Sequence, residues 1–330
     1  MSDHSFQEGR AARGGGAAAP LKWYFATNEE GARGVNGMHA RLAVASALRN
    51  TRLRPHLITT GFRNGFTEWM EARGVTIIEG SQPLAEAIHA AAAAGNYHTR
   101  FLGHWLRCEI PALETEDDFV LYTDTDVVFL RDVTLPDPPP RYMACAPEFK
   151  MEGANYFNSG VMFLNVANMR ETLPGFLEMA RQQIGAFRSD RQHNDQVAFN
   201  TYYRDVWTPM DLGYNWKPYW GDPAAATILH FHGPKLPGVR SMFTPGLRWE
   251  ENYWRSVGTL VASNPDGYRR SVEAVLPFLD ELEPADRNVI TEVRSRLAEP
   301  FPMPEEFLRM SIFDTRYRFD PAIPYLREAE

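Results

Sequence analysis

The sequence predicts an α/β fold around a mostly parallel central sheet of the nucleotide-binding kind, with a helical extension at its C-terminus. Three observations carry this. From Lys22 onward, strand-like and helix-like segments alternate, the order expected of a right-handed parallel sheet. Phe119-Val120-Leu121-Tyr122 places four bulky residues in a row, as in a strand buried on both faces. After about residue 250 the strand pattern ends, and apolar residues recur at helical spacing.

The elements follow in order. Residues 1–20, with Gly14-Gly15-Gly16-Ala17-Ala18-Ala19-Pro20, read as a flexible tail. Residues 21–250 form the expected α/β domain. Strand Trp23–Ala26 leads through a glycine-containing loop to a helix carrying Met38, Leu42, Ala45 and Leu48 on one stripe. Strand His56–Thr60, a helix near Phe66–Ala72 and strand Val75–Ile78 come next. A helix around His98–Ala112 precedes the strand that begins at Phe119. The run Leu135-Pro136-Asp137-Pro138-Pro139-Pro140 breaks structure ahead of strand Tyr142–Ala146. Residues 251–330 are expected to be a helical extension. Val272, Val275, Leu276 and Leu279 make one stripe and Val289, Val293 and Leu297 another, ended by Pro300, Pro302 and Pro304. Core packing, an oligomer contact or help with acceptor binding are its possible roles. No internal repeat is seen.

The chain of 330 residues has 44% hydrophobic residues, enough for one large core. A net charge of −8 argues against broad nucleic-acid binding, which needs a basic face. The two cysteines, Cys108 and Cys145, read as reduced thiols, since Cys145 falls in an expected buried strand. No apolar run of about 18 residues, the length of a membrane span, occurs.

Four segments carry candidate chemistry. The strand from Phe119 ends in Asp124-Thr125-Asp126, at the carboxyl edge where open α/β sheets bind ligands. Alternation puts both carboxylates on one side of an extended backbone. Their repulsion is relieved by a divalent cation, and oxygen ligands suit Mg²⁺ or Mn²⁺. Phe157-Asn158-Ser159-Gly160-Val161 opens another strand with small polar residues, and Gly160 permits close approach. His193-Asn194-Asp195-Gln196 places an acid where a helix begins, next to an amide. Finally, His230-Phe231-His232-Gly233-Pro234-Lys235 offers imidazole ligands and a point charge suited to phosphate. The aromatic stretch Leu212–Trp220 reads as an exposed loop because of Pro218 and Gly221, and could line an acceptor cleft or pack in the core.

The ordered set resembles the retaining glycosyltransferases of family 8, the glycogenin and bacterial galactosyltransferase family. It runs from Tyr24-Phe25-Ala26-Thr27-Asn28, through Arg107-Cys108-Glu109-Ile110-Pro111-Ala112-Leu113, to the Asp-x-Asp strand, Phe-Asn-Ser-Gly-Val, Asp-Gln and His-x-x-Gly with a nearby lysine. It covers about residues 21–245. The resemblance implies a GT-A fold, a UDP-sugar donor, a glycan or other hydroxyl acceptor, and a metal, usually Mn²⁺. It implies Asp124, Asp126 and His230 as metal ligands, with His232 as an alternative to His230. It implies Thr27 and Asn28 near the base, and Arg107, Asp124, Thr125, Asn158, Ser159, Gly233 and Lys235 in donor binding. Asp195 and Gln196 would be catalytic, with Gln196 acting electrostatically. The family usually reads His-x-x-Gly-x-x-Lys-Pro, whereas here Lys235 follows Gly233 by two residues. Without the membrane anchor of Golgi transferases, a cytoplasmic enzyme is expected, at most peripheral at the inner membrane face. A haloacid dehalogenase-type phosphohydrolase also places Asp-x-Asp after an apolar strand, but Val127 and Val128 disfavour it. A catalytically inactive sugar-binding protein is the other reading.

Overall fold

A computed structural model describes residues 20–148, 155–186 and 194–309. Nine strands are seen among them: β1 (Lys22–Thr27), β2 (Arg54–Thr59), β3 (Thr76–Glu79), β4 (Phe119–Thr123), β5 (Val127–Phe129), β6 (Met143–Pro147), β7 (Phe157–Asn165), β8 (Thr208–Pro209) and β9 (Ile228–His230). Seven form a central sheet in the order β3-β2-β1-β4-β7-β6-β8, and β5 pairs with β9 in a separate ribbon. The central sheet is mostly parallel, with β7 antiparallel to both its neighbours.

This topology assembles one ligand edge. The order reverses at β1, since β2 and β3 lie on one side and β4 on the other. A crevice at the carboxyl ends of β1 and β4 follows from that reversal. Because β7 runs antiparallel to β4, its beginning sits beside the end of β4, with Thr123 opposite Val161. Asn158 and Ser159 therefore meet Asp124, and the Asp124 N–H donates to the Gly160 carbonyl at 2.8 Å. The same geometry brings the end of β6, and Glu148 just after it, to this edge. The ribbon puts His230 opposite Val127, one residue from Asp126.

Alternation along β1 sends Trp23 and Phe25 to one face and Tyr24 to the other. Trp23 packs on Phe25 and Phe129 with ring centroids 4.6 and 4.7 Å apart. A third apolar cluster joins Met38 and Leu42 of helix Val35–Asn50 and Val128, Leu229 and Phe231 of the ribbon to the C-terminal helices. Those helices are Asn252–Ser263, Pro265–Val275 and Pro284–Arg296. Val272, Val275 and Val293 are fully buried there, each worth about 1.5–3 kcal/mol of apolar transfer. Asp286 accepts from Nε of Arg41 at 2.9 Å across the junction.

Some expectations need correction. The stretch expected as one helix over His98–Ala112 is a chain of short turns, Thr99–Phe101, Leu102–Trp105, Leu106–Glu109 and Ile110–Leu113. Pro111 cannot donate a helical hydrogen bond, and Gly103 packs so close to Asn28 that an added Cβ would lie 2.9 Å from its backbone nitrogen. Leu48, placed on the buried stripe, is 46% exposed. The aromatic stretch is not an exposed loop. Trp216 exchanges backbone hydrogen bonds with Ile228 and His230, at 3.0 and 2.7 Å, and Asn215, Lys217 and Pro218 are buried. The Ala-rich helix Ala85–Ala93 was not anticipated, since it buries only Ile88 and Ala91. Cys108 and Cys145 are free and buried, as expected. The tail over residues 1–19, His193 and residues 310–330 lie outside the described residues. Among the described residues no helix is long and apolar enough to cross a membrane.

Candidate active site

A cleft of about 620 Å³ opens at the carboxyl ends of β1 and β4. Most of the residues expected to form the site line it: Thr27, Asn28, Arg107, Asp124, Thr125, Asp126, Asn158, Ser159, Asp195, Gln196 and Lys235. His230 lies just behind the wall, 1% exposed. Gly233 is not among the lining residues. Its φ of +91° makes a turn that favours glycine, and a Cβ there would meet Leu260 Cδ1 at 2.9 Å, on the side of the C-terminal helices.

Asp124, Asp126 and His230 each point one ligand atom inward, and these atoms lie within 4.8 Å of one another. His230 Nε2 is 3.3 Å from Asp126 Oδ2 and 3.9 Å from Asp124 Oδ2. His230 Nδ1 is 2.7 Å from Asn215 Oδ1. An acceptor there calls for a proton on Nδ1, so the Nε2 lone pair faces the two carboxylates, as metal-binding imidazoles are held. Two carboxylates supply hard oxygen ligands and the imidazole a borderline nitrogen, a mixed set that fits Mn²⁺ and, less closely, Mg²⁺. Lys235 Nζ donates to Asp126 Oδ2. Burial would raise the Asp126 pKa, but the Lys235 ammonium outweighs it and holds the carboxyl well below its usual range. His232 also lines the cleft but is not grouped with the two carboxylates: its Nδ1 meets the Tyr219 hydroxyl at 2.9 Å, and its Nε2 is 3.4 Å from Glu148.

Arg107 ties the site together. Its NH2 group donates to Asp124 Oδ1 at 2.5 Å and its NH1 group to the Ser159 carbonyl at 2.9 Å. Its Nε lies 2.9 Å from Asp195 Oδ2. That contact is an ion pair without an aligned hydrogen bond, because the Nε–H donates to the His104 carbonyl. Burial would lower the guanidinium pKa, yet Asp124 and Asp195 raise it, so Arg107 stays charged. The Tyr122 hydroxyl donates a second hydrogen bond to Asp124 Oδ1, at 3.0 Å. At the β1 end Asn28 caps the helix Glu29–Arg33, accepting from the Gly31 N–H at 2.9 Å and donating to the Arg100 carbonyl at 3.2 Å. Thr27 is buried beside it.

Beneath Asn158 and Gln196 lies a cluster that the sequence reading missed. Glu148 is 4% exposed and Lys217 fully buried, and Lys217 Nζ donates to Glu148 Oε1 at 2.8 Å. Burial pushes the carboxyl up, but Lys217 and His232 bring it down to about 2. Glu148 Oε2 accepts from Asn158 Nδ2 at 2.7 Å and from Gln196 Nε2 at 3.1 Å. Applying to strand Tyr142–Ala146 the strand-end logic used for Asp124 would have found Glu148. No local signal pairs it with Lys217.

No family model and no curated protein matches the chain. Solved structures do. An active-site mutant of the galactosyltransferase LgtC aligns with a TM-score of 0.50 at 18% identity, over 74% of this chain and 96% of that one. The bifunctional glycosyltransferase WbbM gives 0.50 at 12% identity, over 85% of this chain and 53% of that one. The glycosyltransferase GlyE of Streptococcus pneumoniae TIGR4 gives 0.48 at 15% identity, over 86% of this chain and 66% of that one. At these identities the likeness is one of fold, and the fold of this chain is that of the GT-A glycosyltransferases.

Proposed function

We propose that the protein is a divalent-metal-dependent glycosyltransferase that moves a hexose from a UDP-sugar to a hydroxyl acceptor with retention of anomeric configuration, as the resemblance to family 8 implies. The observation that carries this reading is the convergence of Asp124, Asp126 and His230 at the cleft, with Lys235 beside them. A divalent cation bound there supplies Lewis-acid charge for a departing diphosphate.

The chain's own residues divide the remaining work. Lys235, a third exposed, exchanges its Asp126 contact for a phosphate oxygen. Thr27 and Asn28 meet the base, and Asn28 contributes mainly through the helix start that it caps. Arg107 holds Asp124 and Asp195 apart in fixed positions. Asp195 and Gln196 lie toward the sugar. An active-site glutamine is the mutated residue in the LgtC structure, and Gln196 is the one glutamine among the described residues lining the cleft. The carboxylates around the metal position each face a cation: Asp124 and Asp195 face Arg107, and Asp126 faces Lys235. None is a free general base, which favours retention, with the acceptor proton passing to the departing phosphate oxygen. Asp124 Oδ1 already accepts from Arg107 and Tyr122, a poor arrangement for the phosphohydrolase nucleophile.

Turnover of a panel of α-linked UDP-hexoses with Mn²⁺, read by UDP release and by proton NMR of the product, tests the reading. An α-glycoside is expected. A β-glycoside would remove retention, and hydrolysis of phosphomonoesters without sugar transfer would replace the reading altogether.

A further inference from the structure

We propose that the buried Lys217–Glu148 pair is a positioning device that, through Asn158 and Asn215, fixes the tautomer of His230 and, through Gln196, fixes which end of that amide faces the cleft. The metal-binding half rests on the function proposed above. The hydrogen-bond polarity stands on geometry alone.

The oxygen and nitrogen of a side-chain amide are told apart only by their partners. Here the partners are groups that can play one role. An ionised carboxylate only accepts, and Glu148 Oε2 takes Asn158 Nδ2 and Gln196 Nε2. A backbone N–H only donates. That of Gly160 reaches Asn158 Oδ1 at 2.9 Å and that of Ser159 reaches Gln196 Oε1 at 3.1 Å. Each amide is thus held at both ends. Asn158 Oδ1 also accepts from Asn215 Nδ2 at 2.8 Å. It is therefore the oxygen of Asn215 that faces His230 Nδ1. The relay runs in one direction, from the carboxylate of Glu148 to the N–H at Nδ1 of His230, which leaves Nε2 toward Asp124 and Asp126. The other imidazole tautomer would set a lone pair against the Asn215 oxygen and a proton where a cation would sit.

Lys217 keeps the relay's origin ionised. A buried carboxyl without a cation tends to take a proton, and a protonated Glu148 could donate and reverse the polarity. Lys217 Nζ also donates to the Glu148 backbone carbonyl and lies 4.8 Å from the Trp220 ring. For Gln196 the consequence is direct. Its oxygen accepts from Ser159 N–H and from Asn158 Nδ2, both at 3.1 Å. Both lone pairs are used, so the amide offers the cleft its remaining N–H. Gln196 is a hydrogen-bond donor to substrate oxygen and not a nucleophile.

The test is selective ¹⁵N-histidine NMR on the metal-free full chain at a pH where imidazoles are neutral, alongside Mn²⁺ titration followed by electron paramagnetic resonance. His230 should carry its proton on Nδ1. In Glu148→Gln, Lys217 keeps hold of the new side chain's oxygen and turns its nitrogen toward those of Asn158 and Gln196. The His230 tautomer should then become mixed, and Mn²⁺ affinity should fall about 10-fold or more. Adding Lys217→Met frees that oxygen to turn back, and the double variant should recover most of the loss. An unchanged His230 signal with unchanged affinity in Glu148→Gln, or a double variant no better than the single, would overturn the proposal. Should Glu148→Gln not fold, Asn215 decides. Asn215→Leu should lose the tautomer and about 10–100-fold of affinity. Asn215→Leu behaving as native would end the relay. A native protein that binds no Mn²⁺ yet holds the Nδ1–H tautomer would sink the metal reading and leave the relay standing.

Discussion

Gly160 is the position where one added methyl group tests the site most sharply. A Cβ there would lie 2.4 Å from His230 Cε1, 2.8 Å from Asn158 Oδ1 and 2.9 Å from Asp124 Oδ2. None of these is the free end of a flexible side chain. His230 is held by Asn215, Asn158 by Glu148, and Asp124 by Arg107 and Tyr122. Relief must therefore displace two expected metal ligands. Overpacking of this kind costs about 1–3 kcal/mol, and if about 1.4 kcal/mol of it falls on the ligand geometry, Mn²⁺ affinity drops about tenfold. Gly185 is the control. It is exposed in helix Val166–Ala186, and a Cβ there meets nothing within 4 Å. Gly185→Ala should stabilise by about 0.4–1 kcal/mol. Urea unfolding and Mn²⁺ titration of both variants give the comparison. Native Mn²⁺ affinity in a folded Gly160→Ala protein would refute the packing described around His230 and Asp124.

Other consequences can be checked in parallel. Glu114 accepts from Lys22 Nζ at 2.9 Å, Tyr24 OH at 2.7 Å and the N–H groups of Glu116 and Asp117. Burial pushes its pKa up, but these donors bring it down to about 2, from an ordinary 4.5. Its contribution is complete above pH 4.5 and is lost as the pH falls toward 2. That gap is worth roughly 3 kcal/mol, so Glu114→Gln should lower stability by about that much at pH 7 and by progressively less in acid; urea unfolding with a constant difference down to pH 3 would count against this. Lys235→Ala should weaken UDP binding about 10–100-fold at saturating Mn²⁺, the value of a charge-assisted hydrogen bond, and calorimetry showing native affinity would remove the diphosphate role. UDP with Mn²⁺ at about 100 times its dissociation constant should add ~2.7 kcal/mol of stability. An equal or larger thermal shift with GDP would count against a pyrimidine site at Thr27 and Asn28.

The Asp-x-Asp strand was legible because burial on both faces leaves an uninterrupted apolar run, and carboxylates at its end have few reasons to be there. Strand β7 was legible from small polar residues opening an apolar run, although its antiparallel direction was not. That direction matters, since it is what brings Asn158 beside Asp124. The aromatic stretch was misread because Pro218 and Gly221 do punctuate the chain, but backbone pairing of Trp216 with β9 folds it inward. Lys217 lies 69 residues from Glu148, and no local pattern marks a buried lysine whose partner is that distant. Gly233 was assigned to donor binding as the glycine of the His-x-x-Gly motif. A Cβ on it would meet Leu260 of the C-terminal helices, a contact only the tertiary structure supplies.

The central claim is that this cleft transfers a sugar with help from a cation held by Asp124, Asp126 and His230. Its most direct test is turnover of a UDP-hexose by the native protein and by Asp126→Asn, each with Mn²⁺ and each with EDTA. Native activity should vanish in EDTA and return with Mn²⁺. Asp126→Asn should be slower by at least about 10²-fold, since several kcal/mol of leaving-group stabilisation is removed. Full activity of Asp126→Asn in EDTA would contradict the account.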